Sequence, residues 1–150
     1  MAFTFRSSAF EEGGHIPRQF TCDGGNQPPP LSWSDPPEGT RSFALIMDDP
    51  DAPHGTFTHW LLFDLPAATT ALPREGEGKT LRNGFGRAGY GGPCPPPGHG
   101  PHRYFFTLHA VDVPALDVHG PSREALERAL RPHTLAKATL MGRYERKGRT

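Results

Sequence analysis

The first place where this sequence could do chemistry is Asp48-Asp49-Pro50-Asp51-Ala52-Pro53, directly after a short apolar run. Asp49 and Asp51 are two apart, so an extended backbone points both carboxylates to one side. The prolines, Pro53 included, hold such a backbone extended and stiff. A plain surface turn has the same composition. The second place is His59-Trp60, inside a strand-like run. A histidine there either serves a ligand or is a hydrogen-bonded structural residue. The third runs from Gly89-Tyr90-Gly91-Gly92-Pro93-Cys94 through Pro95-Pro96-Pro97-Gly98 into His102-Arg103-Tyr104. Small residues let a backbone approach a ligand, and prolines fix its course. His102 and Tyr104 share one strand face. No helix follows these glycines to receive a phosphate at its N-terminus, so they are no nucleotide fingerprint.

These segments need elements to position them. Phe43–Met47 is a short apolar run with the length of a buried strand. Thr58–Leu65 alternates, with His59, Leu61 and Phe63 on one face and Trp60, Leu62 and Asp64 on the other. In Arg103–Val113, Tyr104, Phe106, Leu108 and Ala110 face one way; Phe105, Thr107, His109 and Val111 face the other. Both faces are partly apolar, as in a strand inside a sandwich. Phe3–Phe5 and Ala138–Tyr144 complete the strands. One helix is predicted within Ser122–Arg131, capped by Ser122, with Glu124 in its first turn and Pro132 as its stop. The expectation is a mainly β protein, an antiparallel β-sandwich, forming one domain over residues 1–150. The Pro/Gly-rich stretch from Gly84 to Pro101 is then a structured loop rather than a linker.

Composition narrows the function. Lys+Arg and Asp+Glu both total 16, so the excess of basic charge that drives nucleic-acid binding is missing. No window approaches the ~20 apolar residues of a membrane span, and no signal-like segment opens the chain. A cytoplasmic location is expected, with Cys22 and Cys94 as free thiols.

The three segments in this order resemble the pocket signature of the phosphatidylethanolamine-binding protein family, in its bacterial Raf-kinase-inhibitor-like branch. The likeness extends over Ile16-Pro17, Phe20-Thr21-Cys22-Asp23-Gly24, Pro30-Leu31-Ser32-Trp33, Gly39-Thr40, Asn83, Phe85-Gly86 and the closing Leu140, Gly142 and Tyr144. It departs at Gln27-Pro28-Pro29-Pro30, where the family commonly has a serine before two prolines near the pocket. The resemblance implies a β-sandwich with few helices and a pocket for phosphate- or carboxylate-like anions. Carried over, the ligand-binding residues are Asp49, Asp51, Pro53, His59, Gly92, Pro93, Cys94, His102 and Tyr104. Imidazole, phenol and backbone N–H groups would donate to the anion. The aspartates would orient the histidines, or one would be protonated and donate itself. The resemblance also implies a cis peptide at Ala52–Pro53, both cysteines near the pocket rim, and a homodimer.

The reading that follows is a non-catalytic binding module for a small anionic group, with no cofactor, no resident metal, no nucleic acid and no integral membrane contact. The group could belong to a lipid headgroup, a nucleotide or a phosphoprotein partner. Two alternatives stand beside it. One is a hydrolase that uses the Asp/His set with or without a divalent metal. The other is an inhibitor of a protease or kinase acting through its surface.

Overall fold

The computed structural model describes residues 2–73 and 78–147. The strands are β1 (Thr4–Arg6), β2 (Leu31–Ser34), β3 (Ser42–Asp49), β4 (Phe57–Pro66), β5 (Ala71–Leu72), β6 (Lys79–Thr80), β7 (His102–Val111) and β8 (Thr134–Tyr144). One α-helix, α1 (Arg123–Leu130), lies between β7 and β8. All strand pairs are antiparallel, in a three-stranded sheet ordered β1-β2-β5 and a five-stranded sheet ordered β6-β4-β3-β7-β8. The expected sandwich is therefore present. Ser122 caps α1, its side chain accepting from the Ala125 amide at 3.1 Å. β8 begins at Thr134, earlier than Ala138, and its first residues continue the ladder opposite Val111 and Ala110.

β3 is apolar on both faces because it is central and covered on both sides. Phe43, Leu45 and Met47 join Trp33, Leu31, Tyr104, Phe106 and Leu108 in the core between the sheets. Ala44 and Ile46 join Leu61, Phe63, Val111, Leu126 and Leu130 beneath α1. The alternation continues to the end of the strand. Asp48 therefore faces the helix, where the Arg123 guanidinium donates to it at 2.7 Å, and Asp49 faces the inter-sheet core.

Simple alternation fails in β4. Met47 pairs with Trp60 but Asp48 with Thr58, so His59 is an extra residue in the ladder. A bulge of this kind turns its residue toward the face of its neighbour. His59 accordingly leaves the face of Leu61 and Phe63 and packs edge-on to Tyr104, with ring centroids 5.2 Å apart. A second extra residue falls between Leu65 and Leu62, where Asp64 has φ 58°.

Two further expectations are corrected. The cis peptide is at Leu72–Pro73, and Ala52–Pro53 is trans. Cys22 and Cys94 form a disulfide, with Cα atoms 5.4 Å apart. Expected compartment is an argument about chemistry outside the protein, whereas local bonds decide what meets inside it. Here the Cys22 amide donates to the Pro93 carbonyl at 3.1 Å, and the Tyr90 hydroxyl donates to the Phe20 carbonyl at 2.6 Å.

The cross-link closes a sequence separation of 72 residues. Removing such a constraint from the unfolded chain typically costs about 2–4 kcal/mol. Thiol labelling of denatured, unreduced protein should find no free cysteine, and reduction should lower the urea midpoint by an amount on that scale.

His109 gives a separate test. Burial, assisted by Lys137 across the strand pair, pulls its imidazole from 6.5 down to about 4. Its stabilising contribution is complete above pH 6.5 and disappears as pH falls to about 4, on the order of 3 kcal/mol. Asp48 works the other way: burial raises it to about 6, so it loses stability as pH rises from 3.8 to 6. Urea unfolding of His109→Gln should therefore show a shallower acid-side decline, while Asp48→Asn should make that decline steeper.

Candidate functional site

Antiparallel pairing in the order β4-β3-β7 brings the end of β3, the start of β4 and the start of β7 to one end of the sheet. That is why Asp49, His59 and His102 meet although the chain separates them widely. The Asp49 carboxylate accepts from His102 Nδ1 at 2.6 Å. Asp49 is 3% exposed, His59 3%, His102 1% and Tyr104 0%, so the cluster is interior. With Nδ1–H given to Asp49, His102 Nε2 is left to meet a second partner. That partner is His99, whose Nδ1 lies 2.6 Å away.

Tyr104 lies between the two histidines, 5.2 Å from the His59 ring and 6.5 Å from that of His102. Its hydroxyl is fully buried; the Asp49 carboxylate lies within its reach, but no hydrogen bond of good geometry joins them. Burial, and then the neighbouring Asp49 charge, push the phenol well above its ordinary value, so it is a neutral O–H donor. A buried donor without an acceptor is costly, and such groups mark places where something else is received.

His59 is fixed differently. Its Nδ1–H donates to the Gly91 carbonyl at 2.7 Å, and burial lowers its pKa below 6.5. Nε2 then carries a lone pair and donates to an anion only after taking a proton.

Asp51 does not turn to the histidines. It receives Arg103 Nε at 2.9 Å, a second guanidinium nitrogen at 2.8 Å and the Arg103 amide at 2.9 Å. That clamp holds its carboxyl down at about 2, which makes it an ionised anchor and no donor. Its amide donates in turn to Asp49 Oδ1 at 2.8 Å, fixing the Asp49 carboxylate in place for His102. Pro53 is exposed on the following turn. Cys94 is taken up by the disulfide.

Gly92 and Pro93 are buried as part of the wall. The Gly92 amide is already committed, donating to Asn26 Oδ1 at 2.8 Å. A Cβ on Gly92 would fall 2.4 Å from both Asn26 Oδ1 and the Phe20 carbonyl oxygen, so only glycine fits this crossing. Asn26, which makes this bond, directly precedes the Gln27-Pro28-Pro29-Pro30 departure. Asn26 and His99 were missed by sequence reasoning. His99 carried a signal, a His-x-x-His spacing just before a strand; Asn26, in a turn with φ 54°, carried little.

Three clefts, of about 430, 700 and 260 Å³, lie elsewhere on the surface, and none is lined by Asp49, His59, His102 or Tyr104. No three His, Cys, Asp or Glu side chains among the described residues are grouped to hold a metal ion. Among the described residues no helix is long and apolar enough to cross a membrane.

A two-sheet antiparallel sandwich with a buried Asp–His pair at one sheet end, and a cross-linked Gly/Pro loop over it, is the class of protein defined so far. The sequence pattern of the family described as phosphatidylethanolamine-binding protein matches residues 6–145. A UPF0098 protein of Aquifex aeolicus is 49% identical, over 93% of this chain and 86% of its own length. Another, from Methanothermobacter thermautotrophicus, is 45% identical over 94% and 97%. Among solved structures, Escherichia coli YbcL, described as a new member of the mammalian family, superposes with TM-score 0.90 at 34% identity, covering 98% of this chain and 100% of that one. A Chlamydia trachomatis homologue gives TM-score 0.88 at 37% identity over 97% and 99%. The chain belongs to the phosphatidylethanolamine-binding protein family.

The burial of the Asp49–His102 pair sets its response to mutation. Removing one partner of a buried pair strands the other and typically costs about 3–5 kcal/mol. His102→Ala should fall in that range by urea unfolding. His102→Asn should lose much less, because its amide nitrogen can replace Nδ1 toward Asp49 while nothing replaces Nε2.

Proposed function

We propose that the protein binds, without transforming, a small oxyanion of phosphate or carboxylate type at the cluster of Asp49, His102, Tyr104 and His59. The observation that carries this reading is the buried Tyr104 hydroxyl, without a well-formed hydrogen bond, beside the His102 imidazole, which is anchored on Asp49 through Nδ1. A buried donor whose hydrogen bond is poorly formed, next to an imidazole of fixed orientation, suits the reception of a further acceptor. Asp49 is an orienting group that fixes the His102 ring through Nδ1 and leaves Nε2 directed outward. Asp51 contributes by holding Asp49 through its amide, and Gly92 and Pro93 by shaping the wall.

A binding role fits this arrangement better than hydrolysis. Among the described residues the hydrogen-bond partners of the two histidine rings are Gly91, His99 and Asp49, with no serine hydroxyl, and both cysteines are cross-linked. Inhibition of a kinase or protease would need a surface whose partner nothing here specifies.

Calorimetry with inorganic phosphate, a phosphate monoester and acetate tests the reading. His102→Asn should weaken phosphate binding by about 1.5–3 kcal/mol, the scale of one hydrogen bond to a charged group. The double variant His59→Gln, His102→Asn should weaken it further. Affinity should increase as pH falls below 6.5, because His59 must gain a proton to donate from Nε2. Unchanged phosphate affinity in the double variant would refute the site.

A further inference from the structure

The point at which an oxyanion would meet His102 is already held by a side chain of the protein itself. His99 Nδ1 lies 2.6 Å from His102 Nε2, with the rings 4.8 Å apart at 64°. His99 is exposed, whereas the ring it covers is interior. Asp49 takes the Nδ1–H of His102, so His102 Nε2 and His99 Nδ1 share one proton across this contact and Nε2 is not free for an oxyanion. An oxyanion cannot occupy the same position while the imidazole is there.

The surrounding chain is built to let that one ring move. Residues 95–101 read Pro-Pro-Pro-Gly-His-Gly-Pro, so a glycine stands on each side of His99 and prolines stand outside the glycines. Gly98 has φ 77° and Gly100 φ 90°, values that glycine adopts freely and other residues rarely do. The outer ends are fixed. Cys94 is cross-linked to Cys22, the Gly98 amide donates to the Arg146 carbonyl at 2.7 Å, and β7 begins at His102. Rotation about the two glycines would lift His99 while both anchors stay in place, giving up only the 3.2 Å bond from the His99 amide to the Pro96 carbonyl.

We propose that His99 is a displaceable latch, an internal imidazole that occupies the oxyanion position on His102 and must swing out before a ligand binds. This rests on the reading of the cluster as an oxyanion site. A site open for only part of the time has its affinity reduced by that fraction. His99 therefore sets both how tightly and how fast an oxyanion is taken up. Deleting the ring should tighten binding, which is the opposite of what loss of a ligand contact would do.

Two measurements on His99→Ala separate this idea from the reading beneath it. The side chain is exposed, so circular dichroism and the melting temperature should be little changed. First, diethylpyrocarbonate should label His102, followed by peptide mass spectrometry, at least fivefold faster in the variant, because Nε2 is uncovered. This needs no ligand. Second, inorganic phosphate should bind at least threefold tighter, with a faster association rate. Unchanged labelling of His102 overturns the latch whatever phosphate does. Weaker or equal phosphate binding also overturns it, and weaker binding would make His99 a ligand contact. Faster labelling with no phosphate binding in either protein leaves the latch standing and removes the oxyanion reading.

Discussion

One hydrogen bond fixes the chemistry of this protein: Asp49 to His102, 2.6 Å long and closed off from solvent. A buried carboxylate persists only if it is paired. Everything near it can be understood as satisfying that requirement. The Asp51 amide takes one oxygen of the Asp49 carboxylate, and Arg103 holds Asp51 so that its amide points there. His102 takes the other oxygen and passes its remaining nitrogen outward to His99. A charge that would otherwise destabilise the core orients an imidazole instead.

The same strand serves two unrelated environments. Asp48 and Asp49 are neighbours on β3 yet lie on opposite sides of the sheet. Asp48 docks α1 through Arg123, which also contacts Glu127 one helical turn on at 2.8 Å. Burial raises Asp48 while its neighbour, paired with an imidazole, belongs to the candidate site. The pleat alone accomplishes this division.

What could be read from the sequence followed from local pattern. The alternation of β3 and β7, the helix within Ser122–Arg131 and the sandwich all rest on periodicity that survives folding. The convergence of Asp49, His59 and His102 was reached through family resemblance, since no local pattern requires it. The misses have a common cause. His59 was placed on the wrong face because an extra residue in a ladder leaves no trace in alternation. The Cys22–Cys94 bond and the Asn26–Gly92 contact depend on a long loop crossing the N-terminal segment. Asp51 seemed a partner for histidine because the side it faces was legible and the Arg103 guanidinium waiting there was not.

The stretch that ends β8 is tied to the loop carrying His99. The Arg146 carbonyl receives the Gly98 amide, its guanidinium reaches Asp23 at 3.1 Å and lies 3.8 Å from the Cys94 sulfur, and the Tyr144 hydroxyl donates to Asp23. The two chain ends are therefore unequal places to attach anything. A carrier or affinity handle joined behind β8 hangs from the same residues that hold the His99 loop, whereas one joined ahead of β1 hangs from the three-stranded sheet. Immobilising the protein by its front end keeps the mooring of that loop intact.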